Sequence, residues 1–375
     1  MDGIESLVEA VHASPVRIVL AIAGGGTRAI AALLEVPGAS RTVLEAVVPY
    51  APSAMSQWLG GPPEQFCSEA TARSMAMAAM LRARRLDPGS AVAGVSCTAS
   101  LVTDRPKRGA HRAAVGLQTL SRTAVYWAEL VKGRRRRPEE EALVAHLVLN
   151  AVAEACEVPQ RLLLPLLPEE ALHSQSLTAP AEWQDLVLGQ RAAVRQRGLM
   201  PDPPPANPAA VYPGAFHPLH RGHLRILELA EQILGTPVEP EISIFNVDKP
   251  PLDYVEIAGR LEQFGQQRPV WLTRATTFEE KSRLFPGATF VVGADTLRRI
   301  ADPRYYGGDC RACHWAIEAI AARGCRFLVF GRTDRGRFIT LGDLELPQPL
   351  RDICRGVPEA DFREDISSTE LRCQA

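Results

Sequence analysis

The sequence contains few lysines and few aromatic residues, and neither sign of charge is in excess. Of its 42 basic side chains only Lys107, Lys132, Lys249 and Lys281 are lysines, and aromatic residues make up 6% of the 375 positions. The formal net charge is −1, with +2 on the first 200 residues and −3 on the rest. Because a nucleic-acid-binding domain normally carries a basic excess, we expect no nucleic-acid partner.

Long apolar runs and an export signal are also missing. The most apolar early stretch, residues 16–34, is interrupted by Arg17, three glycines and Arg28, which excludes a membrane span. The N-terminus opens with acidic residues and has no basic region ahead of an apolar run, which argues against a secretory signal. We therefore expect a cytoplasmic protein without a membrane partner.

The eight cysteines are spread thinly, as is typical of reduced thiols in a cytosol. One cluster, Cys310, Cys313 and His314, has the spacing of a c-type haem attachment string, but haem attachment would need export. Zinc would need Cys325 or Cys354 as a further ligand, and the sequence has no second CxxC motif and no HxxxH motif that would complete a set of four ligands. We favour ordinary loop and helix-start cysteines, with no metal.

The length of the chain predicts two domains, each able to bury its own core. Residues 200–208 contain five prolines in nine positions, which predicts an extended linker between domains 1–199 and 209–375. Short β-branched runs alternate with helical patterns on both sides of it, which predicts sheets covered by helices. The expected fold class is α/β, with an α/β sandwich first and a Rossmann-like parallel-sheet domain second.

Apolar periodicity and capping residues predict the individual elements. The predicted strands are 16–22, 43–48, 91–97, 210–216, 241–247, 269–273, 288–293 and 326–331. The predicted helices are 28–34, 65–86, one that starts at Pro138, one that starts at 219, 254–265, 278–284 and one that starts at 294.

The strongest chemical signal follows the first strand of the second domain. Here the motif GAFHPLHRGH contains Gly214, Phe216, His220, Gly222 and His223 at the start of a predicted helix. Unpaired backbone N–H groups and the helix dipole favour phosphate at such a position. The two histidines are three residues apart, so both imidazoles project from one side of the first turn. They are suited to hold the oxygens of a phosphoryl group while charge builds on it.

A second phosphate-ready helix start lies near the C-terminus. The string ISSTELR places Ser367, Ser368 and Thr369 before a glutamate and a leucine, which indicates a helix N-terminus. Arg372, about one turn further along, could neutralise a bound anion. Either string alone could be an ordinary helix cap, but two within one α/β domain favour a nucleotide site.

These motifs together resemble the HxGH nucleotidyltransferase superfamily, and most of all its nicotinamide and nicotinate mononucleotide adenylyltransferases. Gly293 and Asp295 are similar to the family's GxD segment beside the nucleotide, and Arg332 resembles the arginine after a later strand. The resemblance covers about residues 209–375. His217 departs from it, because the family often has Asp or Asn at that position.

The resemblance implies attack by a mononucleotide phosphate on the α-phosphorus of ATP, with Mg²⁺ bound to the phosphates and pyrophosphate released. In that reaction His220 and His223 would stabilise the transition state, and Ser367, Ser368, Thr369 and Arg372 would hold the β- and γ-phosphates. Lys249 is a weaker candidate for the acceptor phosphate. Two alternatives stay open: a cytidylyltransferase or adenylyltransferase with another phosphorylated acceptor, and a nucleotide-binding regulatory or scaffold protein.

Residues 18–58 resemble the CinA C-terminal family of nicotinamide mononucleotide amidohydrolases, through the strings AGGGT, VPGAS and VVPY. The family's serine and lysine fall on Ala23 and Met55, which predicts that amide hydrolysis is lost. Thr27 is a poor substitute, and Lys107 and Lys132 lie far along the chain in polar stretches. The glycine loop would keep free N–H groups for a phosphate. We expect ligand binding without hydrolysis, and a homo-oligomer formed through this domain.

Overall fold

A computed structural model describes residues 2–105, 107–203, 207–246, 250–334 and 337–364. The chain forms two compact units, and the main division falls between Gln184 and Asp185. A short later segment that ends at Glu256 groups with the first unit. Within the described ranges, no helix is both long enough and apolar enough to cross a membrane.

The first unit is a six-stranded sheet with helices on both faces. Its strands lie in the order β2-β1-β3-β4-β5-β6, of which β2, β1 and β3 are parallel and the others antiparallel. The strands are β1 (Arg17–Ala23), β2 (Val43–Val47), β3 (Val92–Ser100), β4 (His111–Thr119), β5 (Arg122–Leu130) and β6 (His173–Thr178). The helices are α1 (Asp2–Ala13), α2 (Arg28–Glu35), α3 (Pro52–Leu59), α4 (Glu69–Leu86) and α5 (Arg137–Ala155).

Small residues allow α4 to lie directly on this sheet. A Cβ atom on Gly94 of β3 would lie 2.1 Å from the carbonyl oxygen of Ala76, and one on Gly116 of β4 would lie 2.4 Å from that of Ala72. No larger side chain fits there. The opposite face of the sheet packs on the apolar sides of α1, α2 and α5, which form the main core of the unit.

The second unit is built on an eight-stranded sheet in the order β16-β13-β12-β9-β10-β11-β7-β8. Its strands are β7 (Ala193–Arg197), β8 (Met200–Pro201), β9 (Ala210–Pro213), β10 (Val238–Ser243), β11 (Pro269–Thr273), β12 (Thr289–Gly293), β13 (Arg326–Phe330) and β16 (Cys354–Gly356), with a separate hairpin of β14 (Arg332–Asp334) and β15 (Arg337–Ile339). The helices are α6 (Ala181–Leu188), α7 (Arg221–Leu234), α8 (Tyr254–Glu262), α9 (Phe278–Leu284), α10 (Ala294–Ile300), α11 (Cys310–Ala322) and α12 (Gln348–Arg351). Of these, α6 and α8 each have residues in both units.

The strand order of the second unit contains a reversal at β9. This strand pairs in parallel with β10 on one side and with β12 on the other. The chain continues from β9 through β10 to β11 on one side and then crosses to β12 on the other. In open α/β sheets, ligands bind at such a switch point, in the crevice beyond the carboxyl ends of the strands. The α/β class is confirmed, and the carboxyl end of β9 is the expected position of a ligand site.

The division between the units lies ahead of the linker expected at 200–208. Ala193–Arg197 pairs antiparallel with Pro269–Thr273, so β7 and β8 belong to the second sheet although they precede the proline-rich stretch. The prolines mark the point where the chain leaves the β7–β8 hairpin. The hairpin belongs to the second sheet because β7 pairs with β11. Residues 204–206 of the expected linker lie outside the described residues.

Candidate nucleotide-binding site

The loop from β9 to α7 is folded around the ring of Phe216. This residue is buried and has a φ of +46°, a left-handed conformation that is uncommon outside glycine. Its ring lies so close to Gly214 that a Cβ atom there would meet ring atoms at 2.6 Å. The ring also packs edge-on against His223, with centroids 5.1 Å apart. Gly214 and Phe216 therefore shape the loop from inside.

Side chains of α8 and of the turn after it hold this loop in place through hydrogen bonds to its backbone. Gln263 donates from Nε2 to the carbonyl oxygen of Phe216 at 3.1 Å and accepts the Leu219 N–H at 2.6 Å. Arg260 donates to the carbonyl oxygen of Ala215 at 3.1 Å. Neither Gln263 nor Arg260 was predicted from the sequence. Their spacing suits one face of a helix, but nothing in the sequence shows which loop that face meets.

The two histidines of the motif are stacked at the start of α7. Their ring centroids are 3.7 Å apart and the planes are inclined by 23°. The backbone N–H of His220 donates to Nδ1 of His223 at 3.3 Å, so a neutral His223 carries its proton on Nε2. Within the described part of the chain, the buried Nδ1 of His220 has no hydrogen-bond partner. A Cβ atom on Gly222 would lie 3.1 Å from the His220 ring.

Both histidines are held in their neutral form. Burial lowers the pKa of His223 to about 3, with further lowering from His220 and from the charge of Arg332. The pKa of His220 is also lowered, first by burial and then by Arg332, while Glu364 opposes the shift. At neutral pH the pair thus offers neutral N–H donors to a ligand and does not act as a strong acid.

Asp295 and Arg332 complete the described part of the site. Asp295 follows β12, Arg332 follows β13, and Nη1 of Arg332 lies 3.0 Å from Oδ2 of Asp295. A Cβ atom on Gly293 would lie 2.6 Å from Oδ1 of Asp295, so glycine lets the carboxylate fold back over the strand end. The charge of Arg332 acts on both histidines. Residues predicted from three separate motifs therefore meet at the carboxyl ends of β9, β12 and β13.

The remaining predicted ligands of the nucleotide lie outside the described residues. These are Lys249, for the acceptor phosphate, and the tail residues Ser367, Ser368, Thr369 and Arg372.

In the first unit, the glycine loop does not present the free N–H groups expected from the sequence. The Glu141 carboxylate accepts the Gly26 N–H at 2.9 Å, the Thr27 hydroxyl at 2.9 Å and the Arg28 N–H at 3.3 Å. An internal carboxylate from α5 thus occupies the position where a phosphate would bind. Glu141 lies 115 residues further along the chain than Gly26, and no local pattern links the two.

Ala23 and Met55 are buried and belong to one apolar cluster, on the face of the sheet that packs on α4. Lys107, which lies far along the chain from the glycine loop, donates to the hydroxyl of Ser100 at 2.7 Å, because the loop after β3 folds back on the strand end. Lys132 donates to the carbonyl oxygens of Lys107 and Arg108 and is exposed.

The cysteine cluster lies at the start of α11. Cys310 is exposed, whereas Cys313 is buried and its thiol lies 3.8 Å from the carbonyl oxygen of Ile300. His314 faces Glu318 at 3.4 Å on the surface of the helix. Among the described residues, no group of three or more histidine, cysteine or acidic side chains could hold a metal ion.

Comparison with known proteins finds a family match in the second part of the chain. Residues 211–374 match a family model described as cytidylyltransferase-like. No curated protein matches the chain.

Solved structures of CinA-family proteins are similar over the N-terminal part. A competence/damage-inducible protein from Agrobacterium tumefaciens is 21% identical, with 42% of this chain and 96% of that chain covered and a TM-score of 0.34. A competence or damage-inducible protein from Enterobacter asburiae is 15% identical over 41% and 96%, with a TM-score of 0.33. A competence damage-inducible protein A from Klebsiella pneumoniae is 17% identical over 41% and 96%, with a TM-score of 0.33.

The family match begins within β9 and includes the histidine motif, Asp295 and Arg332. The C-terminal region of this chain therefore contains a cytidylyltransferase-like domain.

Proposed function

We propose that the second unit transfers an adenylyl group from ATP to a phosphorylated acceptor, nicotinamide or nicotinate mononucleotide, and releases pyrophosphate. The observation that carries this proposal is the stacked pair His220–His223, neutral and with the tautomer of His223 fixed, at the switch point of a nucleotidyltransferase-like sheet. A phosphoryl transfer needs positioned donors more than it needs a nucleophile from the protein.

In the proposed reaction a phosphate oxygen of the acceptor attacks the α-phosphorus as the bond to the bridging oxygen of pyrophosphate breaks. Nε2–H of His223 and the His220 ring would donate to the α-phosphoryl oxygens, where negative charge increases in the transition state. Arg332 would exchange its exposed ion pair with Asp295 for a phosphate oxygen. Ser367, Ser368, Thr369 and Arg372 would bind the departing pyrophosphate, and Lys249 the acceptor phosphate.

Mg²⁺ would enter this site with the triphosphate. Among the described residues no carboxylate cluster forms a cation cage, and Asp295 is paired with Arg332. That donor set fits an ion held mainly by substrate phosphates and water, as Mg²⁺ commonly is. When bound with ATP, Mg²⁺ would neutralise phosphate charge.

CTP is the second candidate donor, because the matched family model is described as cytidylyltransferase-like. Pyrophosphate release decides between the two when ATP and CTP are each offered with nicotinamide mononucleotide, nicotinate mononucleotide, phosphocholine and phosphopantetheine. We expect turnover with ATP and a pyridine mononucleotide. Turnover confined to CTP, or to another acceptor, would replace this assignment. Nucleotide binding without turnover for any pair would favour a regulatory or scaffold role.

We further propose that the first unit does not hydrolyse nicotinamide mononucleotide, since Ala23 and Met55 can neither attack a carbonyl nor accept a proton. The Glu141 carboxylate in the glycine loop would also repel the substrate phosphate. The full chain carrying His223→Ala should therefore release no ammonia from nicotinamide mononucleotide.

We expect the protein to act on small molecules in the cytoplasm and to form homo-oligomers through this unit.

A further inference from the structure

The start of α11 places two cysteines one helical turn apart, in a CxxC arrangement. Cys310 is the first residue of the helix and is exposed, whereas Cys313 is the fourth and is buried. The two thiols are near each other, since the charge of Cys310 acts on Cys313. The nucleotide site described above makes no use of this pair, and among the described residues no metal-binding group of three side chains includes it.

The difference in exposure gives the two thiols different roles in a thiol–disulfide exchange. A dissolved disulfide can reach the exposed thiol, and the buried thiol one turn away can then attack the mixed disulfide from within the protein. Burial raises the pKa of Cys313, and the charges of Cys310 and Asp302 raise it further. A mixed disulfide on Cys310 removes the charge of that thiolate, so Cys313 then ionises more readily.

The Cys313 side chain can leave its present contact at small cost in hydrogen bonding. Its thiol lies 3.8 Å from the carbonyl oxygen of Ile300, and a thiol is a weak donor. The same carbonyl oxygen accepts the Tyr306 hydroxyl at 3.0 Å, so it keeps a partner when the thiol turns away. The contact therefore does not lock Cys313 away from Cys310.

The backbone at the helix start can accommodate a disulfide. Cβ atoms three residues apart on a helix are separated by about 5–6 Å, and a disulfide needs about 3.8 Å, so the first turn must tighten. It can do so because its leading N–H groups are not fixed by bonds within the helix. The Asp309 side chain caps the Arg311 N–H at 2.8 Å instead. Strain that remains makes such a disulfide easier to reduce, and hence reversible.

We propose that Cys310 and Cys313 form a reversible disulfide by exchange with small disulfides of the glutathione type. The Cys310 thiolate attacks one sulfur of glutathione disulfide, whose S–S bond breaks and releases one glutathione. The Cys313 thiolate then attacks Sγ of Cys310, which forms the intramolecular S–S bond and releases the second glutathione. Two protein thiols are oxidised, glutathione disulfide is reduced, and the two protons pass to the departing thiolates. The second unit thereby responds to the thiol–disulfide balance of its surroundings.

Equilibration of the full chain with reduced and oxidised glutathione tests this site. Acid quenching, alkylation of free thiols and peptide mass spectrometry locate the disulfide. Formation of an intramolecular disulfide depends on the square of the reduced glutathione concentration, whereas a mixed disulfide depends on its first power. At a fixed ratio of the two glutathione forms, about tenfold dilution of total glutathione should therefore raise the oxidised-to-reduced ratio of the protein about tenfold.

Serine variants separate the two steps. Cys313→Ser should stop at a mixed disulfide on Cys310, in an amount that does not change when total glutathione is diluted at a fixed ratio. Cys310→Ser should leave Cys313 reduced, because that thiol is buried. Cys354→Ser is the matched control: this thiol of the second unit is half-buried, burial raises its pKa to about 12, and the variant should behave as the parent does. Circular dichroism confirms that each variant is folded.

Three results with the parent chain would overturn the proposal, whether or not the chain is a nucleotidyltransferase. The chain could stay reduced at every glutathione ratio, Cys310 could carry only a mixed disulfide, or Cys310 could be linked to a cysteine other than Cys313. Each is read directly from the peptide map.

Discussion

His223 is the residue on which the proposed transfer chemistry most depends. Its Nδ1 accepts the His220 backbone N–H, which leaves Nε2–H to donate to the α-phosphoryl group. This donor should matter most where charge develops, so His223→Ala should lower kcat about 10²- to 10³-fold, as expected for the loss of a transition-state donor. The dissociation constant for ATP should change far less. Steady-state kinetics and calorimetric titration measure the two effects.

His314→Ala is the matched control for this substitution. His314 is likewise a histidine in a helix of the second unit, but its neighbour is Glu318 and it lies outside the candidate site. It should retain parent kinetics. A kcat within a few-fold of the parent for His223→Ala, with KM raised instead, would show that His223 binds substrate without stabilising the transition state.

At the scale of elements, the histidine loop depends on the residues that fasten it from α8 and the following turn. Gln263→Ala removes both hydrogen bonds that fix the backbone at Phe216 and Leu219. Because these bonds are partly exposed, we expect a modest loss of stability, about 1 kcal/mol, and a fall in kcat on the order of tenfold from the looser loop. Denaturant unfolding and kinetics measure both quantities.

The neighbouring exposed Gln267→Ala provides the control for Gln263→Ala, since it changes the same residue type without touching the loop. It should leave stability and kcat at parent values. Unchanged kcat in Gln263→Ala, together with the expected loss of stability, would mean that the histidine loop holds its shape without this fastening.

The bounds of several elements in the second unit could be predicted from the sequence, whereas the contacts between elements could not. The predicted strand 269–273 and helix 278–284 coincide with β11 and α9, because an apolar run and a capping threonine are local signals. Strands β4 to β6 were not predicted. The residues of β4 and β5 are ordered by antiparallel pairing with β3 and with each other, and those of β6 are mostly exposed and polar, so they form no apolar pattern. Similarly, Glu141 occupies the glycine loop through a contact that no sequence spacing records.

At the scale of the whole molecule, the candidate nucleotide site gathers residues that are more than a hundred positions apart. The motif at 214–223, the GxD segment at 293–295 and Arg332 meet because β9, β12 and β13 are adjacent and parallel. The motifs were recognised from sequence, but their convergence depends on strand order.

Removing the chain after Glu370 eliminates the guanidinium of Arg372, the expected partner of the β- and γ-phosphates. Triphosphate affinity should fall on the order of tenfold or more, because a charge-assisted, bidentate interaction with phosphate is lost. Arg372→Lys keeps the charge but not the planar fork, so its affinity should lie between those of the parent and the truncated chain. Calorimetric titration with ATP measures the series, and thermal unfolding shows whether each variant is folded. A folded, truncated chain that binds ATP as the parent does would exclude Arg372 as a partner of the triphosphate, because the truncation removes this guanidinium and leaves Ser367, Ser368 and Thr369 in place.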